Sequence, residues 1–142
     1  MAITQAMCTS FKVELLTGTH NFTATTGDSF KIALYTSAAT LDATTTAYSA
    51  TNEVSGTGYT AGGADLTEVT PVASGTSAIV DFGDVSWSGA TFTARGALIY
   101  NASKSNKAVA VLDFGADKTV SGGTFTVQMP AAAAGTAIVE IS

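Results

Sequence analysis

Cys8 and His20 are the only cysteine and the only histidine in the chain, so the side chains best suited to nucleophilic or metal chemistry occur once each. A catalytic centre needs a nucleophile, a base and a group that orients the base, or a metal with its ligands. Counting alone leaves a Ser-His-Asp arrangement open around His20, but the chain has no Gly-x-Ser-x-Gly elbow. His20 lies in a Thr-rich turn beside a helix end and reads as a solvated or capping histidine. Zinc takes clustered Cys and His, and one of each with no ligand spacing argues against a structural zinc site. Cys8 falls in an apolar pattern and reads as a small buried hydrophobe. Hard cations need only oxygen, which brings in Asp81 with Asp84 and Asp113 with Asp117, yet neither pair follows an EF-hand spacing. They read as turn carboxylates. Eleven acids offer many chance pairs, so a glycosidase reading gains nothing from them. Gly56-Thr57-Gly58 and Gly62-Gly63 lack the Lys-Ser/Thr ending of a phosphate loop and read as turns. Trp87 alternates with Val85 and reads as core. The expectation is a protein that is not an enzyme, with no cofactor and no metal.

The composition points the same way. At 142 residues the chain makes one domain, expected over 1–142, that buries roughly two-thirds of its unfolded surface without staples. Charged residues are 12% of the chain, against about 25% in an average soluble protein, and Thr, Ser, Ala and Gly take their place. A surface of short neutral side chains loses little rotamer freedom on burial and suits contact with neighbouring subunits. Mean hydropathy is +0.31 and there are two prolines, which favours a folded chain over a disordered one. The net charge is -5 and the six basic residues are scattered, so no nucleic-acid partner is expected. The first seven residues lack a basic n-region and no apolar run approaches the ~20 residues of a membrane helix. We therefore expect no membrane partner and synthesis in the cytoplasm.

Those side chains must be positioned by a mostly β framework. The first segment predicts the only helix, over 3–17, with Thr4 as its cap. Ile3, Met7, Phe11 and Leu15 recur at four-residue steps along one stripe, widened by Ala6, Cys8 and Val13, and Gly18 closes the helix in a left-handed cap. So short a helix is marginal alone, and its stripe must dock on its own sheet or on a neighbouring subunit. From Gly27-Asp28 onward the pattern alternates. Phe30, Ile32 and Leu34 predict a strand with one buried face, and Ser37–Asn52 an extended surface loop. Further strands are predicted at 66–72, with Pro71 on an edge, and at 78–82, 85–87 and 97–100. The clearest hairpin joins 98–100 to 108–112 through the polar loop Asn101–Lys107. The turn Ser121-Gly122-Gly123 leads into 124–129, and 137–141 closes the chain. Short strands separated by Gly, Ser and Asn turns predict a mainly β protein. We expect a β-sandwich, jelly-roll or immunoglobulin-like, over 28–142, with one N-terminal α-helix.

Several runs carry a resemblance. Met1–Lys12, Asp28–Thr36, Asn52–Gly63, Gly89–Tyr100 and Ala110–Gly115 are similar to a family of small structural proteins of tailed bacteriophages and prophages. The resemblance covers nearly the whole chain. It implies a place in the virion, reached by assembly and lysis rather than secretion, and carries no active site with it. Capsid surface, collar and tail all fit.

The leading expectation is a virion structural protein, a capsid decoration or collar or tail component, that packs against other virion proteins and forms a homo-oligomer. Met7, Phe11 and Leu15, or the long loop after Ser37, are the expected partner contacts, although packing on the protein's own sheet competes for each helix residue. The alternative is a receptor- or carbohydrate-binding module of a phage fibre, with Tyr48 and Tyr59 exposed in loops.

Overall fold

A computed structural model describes residues 2–142. The chain is mainly β, with two antiparallel sheets and one short helix near its N-terminus, consistent with a β-sandwich. Its elements are β1 (Ala6–Met7), α1 (Thr9–Leu16), β2 (Phe30–Tyr35), β3 (Ala64–Asp65), β4 (Glu68–Ser74), β5 (Ser77–Phe82), β6 (Val85–Asn101), β7 (Lys107–Val127) and β8 (Val139–Ile141). The larger sheet runs β1-β7-β6-β2-β3 and the smaller β4-β5-β8. One apolar cluster joins them. Phe30 of the larger sheet stacks on Phe22 at 4.4 Å and meets Phe82 of the smaller at 5.8 Å. Among the described residues no helix is long and apolar enough to cross a membrane.

The hairpin β6–β7 dominates the larger sheet, paired from Val85↔Val127 to Asn101↔Lys107. Its tip is the expected polar loop, where Ser105 and Asn106 take positive φ. Residues 108–111 are buried, as expected of a central strand, with β1 on one side and β6 on the other. The predicted turn at Ser121-Gly122-Gly123 is not one, and the stretch between the predicted strands 85–87 and 97–100 is strand as well. Gly89 (φ 56) and Gly122 (φ 62) sit inside continuous strands near register shifts. With ladder bonds formed on both sides, a positive-φ glycine is absorbed as a bulge instead of reversing the chain. β2 is also covered more fully than predicted: Ile32 to Tyr35 are all buried, because the segment after Ser37 folds back over it. Val54 donates its N–H to the Leu34 carbonyl (2.9 Å), and Ala108 donates to Thr46 (3.0 Å). Pro71 lies on β4, which borders β5 alone, as its missing N–H requires.

The helix is half its predicted length. Residues 3–7 are extended: Ile3 bridges Leu41, Ala6 and Met7 pair with Val111 and Ala110, and Cys8, not Thr4, is the N-cap. A four-residue step fits a strand as well as a helix, since four is two full alternations. The edge of β7 offered Ala6 and Met7 a ladder, and a costly helix nucleus lost to it. The C-terminal end follows expectation. Gly18 (φ 73) donates to Leu15 and Thr19 donates to Glu14 (3.0 Å), a Schellman motif that only a left-handed residue completes.

Candidate functional site

α1 has two faces. Phe11 points inward and is wholly buried, 4.9 Å from the His20 ring. Thr9, Lys12, Val13 and Leu16 fall at helical spacing on the opposite face, where Val13 is 60% and Leu16 90% exposed. Two hollows flank the helix. One, of about 400 Å³, lies between α1 and the smaller sheet and is lined by Leu15, Phe22, Ile79, Val139 and Ile141. The other, of about 470 Å³, is lined by Met7, Lys12, Leu15, Leu16, Glu140 and Ile141. Leu15 and Ile141 border both, so the two hollows lie side by side and together make a mainly apolar groove along α1 and β8. Of the expected contacts, half-buried Met7 and Leu15 reach the groove, while Phe11 lies beneath it with no surface to offer a partner. Leu16 and Ile141 join the groove without having been expected there. Apolar residues on both sides of a short helix are the signal that could find Leu16.

A buried polar network fixes α1 against the hairpin tip. The His20 side chain is wholly enclosed rather than solvated. Asn101, also wholly buried, accepts the Ser103 N–H at Oδ1 (3.0 Å). Its Nδ2 therefore makes both remaining contacts, to Asp28 (2.8 Å) and to His20 Nδ1 (2.9 Å). Facing an N–H, Nδ1 must accept, so the His20 proton sits on Nε2 and is donated to Glu14 Oε1 (2.8 Å). Lys104 closes on Asp28 (3.1 Å) and Lys107 on Glu14 (3.6 Å). Both ring nitrogens of the sole histidine are thus engaged in joining helix, turn and hairpin.

Burial works to raise the Asp28 pKa, but hydrogen bonds from Asn101, the Asn21 N–H and Lys104, with the Lys104 charge, together hold it below the usual carboxylate value. A carboxylate more acidic folded than unfolded contributes its full stabilisation above the unfolded pKa of 3.8 and loses it as pH falls through the lower folded value. Asp28→Asn should therefore lower the urea midpoint at pH 6, with the gap to the parent narrowing below pH 3.8.

A second network gathers all four tyrosines around Glu53. Tyr48 Oη (2.6 Å), Tyr59 Oη (2.5 Å) and the Gly62 N–H (2.8 Å) all donate to its carboxylate. Tyr100 donates to the Gly62 carbonyl (2.6 Å) and Tyr35 to that of Ser49 (2.6 Å). Burial first, and the Glu53 charge as a further cause, push Tyr100 up to about 12 and the other three higher. Tyr48 and Tyr59, expected to stand exposed in loops, are half-buried with their hydroxyls committed. Glu53 binds the segment after Ser37 to β2.

The remaining candidates are dispersed. Asp84 accepts the Met129 N–H (2.7 Å), and Asp113 accepts those of Gly115 (2.9 Å) and Arg95 (3.2 Å), which hold it below the usual carboxylate range. Among the described residues no three His, Cys, Asp or Glu groups are placed to share a metal ion. Trp87 is buried, as expected, 6.1 Å from Tyr59 and from Phe125. Cys8 is wholly buried, and burial, then the charges of Asp42 and Glu14, push its thiol up to about 11. Thiolate is the reactive form. Folded protein should accordingly resist a disulfide-exchange reagent at neutral pH and release one equivalent only in denaturant.

No protein-family model, curated protein or solved structure matches the chain. The groove along α1 and β8 is the surface with a physical claim to function. It is apolar, open, and held in shape by the His20–Asn101–Asp28 network behind it.

Proposed function

We propose that this protein is a structural component of a bacteriophage virion, a capsid decoration or a collar- or tail-associated subunit, that acts by packing against other virion proteins. The observation that carries the packing role is the apolar groove, with Leu16 at 90% and Ile141 at 57% exposure beside it. Leaving large apolar side chains in water forgoes about 1.5–3 kcal/mol each, which a neighbouring subunit recovers. A low-charge surface of Thr, Ser, Ala and Gly supports the same reading, because it fits against a lattice with little loss of rotamer freedom. The likeness of Met1–Lys12, Asp28–Thr36 and the other quoted runs to small phage structural proteins supports the virion as the place.

Locating the protein on purified particles by density, and counting its copies, tests this. A copy number set by the capsid lattice is the expected result for decoration, and a handful per particle for a collar or tail role. Recovery of all the protein in the soluble fraction of a lysate, with none on particles, would overturn the proposal.

A further inference from the structure

We infer that the groove along α1 and β8 is covered by a second copy of this chain, related by a two-fold axis beside Leu16, with Lys12 of each copy meeting Glu140 of the other. The inference rests on reading the groove as a packing surface, and adds the identity of what packs there.

Three observations lead to it. First, α1 presents apolar residues on two sides: Phe11 is buried in the core, while Val13 and Leu16 stand 60% and 90% exposed on the outside. A helix with apolar residues on opposite sides gains from being covered on both. Second, Ile141 of β8 lies along the same groove and is 57% exposed, so the apolar surface runs from helix to strand. Third, the groove carries one cation and one anion, Lys12 and Glu140. Among the described residues Lys12 forms no ion pair within the chain. Glu140 accepts one N–H, from Gly135, at Oε1, and among the described residues its other oxygen takes no hydrogen bond.

A two-fold contact brings the same patch on two copies together, so residue i meets j and j meets i. A patch with an apolar centre and one charge of each sign at its margins is complementary to itself under that operation. Leu16 and Ile141 fill the middle, and each Lys12 falls opposite a Glu140 with the two pairs formed at once. A patch of a single charge sign would repel its own copy and call for a different partner. Rim charges of this kind set register and exclude wrong partners more than they add affinity.

The test uses charge reversal and sedimentation velocity on the full chain over a range of concentrations. Lys12→Glu leaves two acids facing each other at both rims, and Glu140→Lys leaves two bases. Each variant alone should associate about tenfold or more weakly than the parent. Mixed in equal amounts the two should recover parental association, because each rim of the mixed pair then sets one acid opposite one base. Unchanged circular dichroism and melting of the separate variants guard against misfolding as the cause. A parent that stays monomeric at every concentration, or a mixture no better associated than the separate variants, would overturn the inference. Leu16→Asp separates this from the packing reading itself. If the parent is monomeric yet Leu16→Asp is lost from particles, the groove takes a different subunit and only the second-copy inference falls. If the parent is monomeric and Leu16→Asp is incorporated at parental copy number, the groove is not the packing surface and both readings of it fall.

Discussion

Replacing Asn101 with leucine is expected to destabilise the fold by about 4 kcal/mol, seen as a lower urea midpoint with an unchanged slope. The volume is nearly conserved, so little of this comes from a cavity. It comes from three lost hydrogen bonds, two of them enclosed, to His20 Nδ1 and to Asp28 Oδ2, and one part-buried, from the Ser103 N–H. An unsatisfied buried polar group costs about 1–3 kcal/mol, and more when it is charged. Asp28 would keep Lys104 and the Asn21 N–H, but His20 Nδ1 would face a hydrocarbon. The damage should also be directional. Because the network joins α1 to the hairpin tip, hydrogen exchange should rise first in 9–20 and 101–107, with the far end of the hairpin protected until global unfolding.

Glu53→Ala should cost a similar amount, again about 4 kcal/mol, for a different reason. Three donors converge on that carboxylate, and hydrogen bonds to a charged group contribute about 1.5–3 kcal/mol each before compensation by solvent. Water would reach some of the freed groups, which keeps the total below the sum. The variant should also change the alkaline limb of stability. A tyrosine whose pKa is higher folded than unfolded stabilises fully below the unfolded value of 10.0 and loses that contribution as pH rises through the folded one. With the Glu53 charge gone, Tyr35 and Tyr100 lose one cause of their upward shift. Ultraviolet titration of Glu53→Ala should then show phenolate at lower pH than in the parent. Titration curves that superimpose would mean Glu53 is not the charge the tyrosines feel.

Neither network is legible in the sequence, and the reason is the same for both. His20 lies 81 positions from Asn101, and Asp28 lies 73 from it. Nothing in a Thr-rich turn or an Asn-Ala-Ser loop says that the two will meet inside a core. Tyr48 and Tyr59 look like loop aromatics because their segment has no period. It has none because it makes few regular ladder bonds, yet it is held by side-chain hydroxyls instead. The predicted helix is too long because Ile3, Met7, Phe11 and Leu15 satisfy both periods, and the deciding partner, β7, lies far along the chain.

What could be read without coordinates was whatever depends on near neighbours. Alternation set the β class, the Asn101–Lys107 tip set the hairpin, Pro71 set an edge, and Gly18 set the helix end, since each follows from backbone preferences within a few residues. Tertiary structure alone decided the length of α1, the burial of His20, the gathering of tyrosines on Glu53 and the exposure of Leu16 and Ile141. Those depend on which distant segment arrives to take a hydrogen bond or cover a side chain, and that choice is made by the whole fold at once.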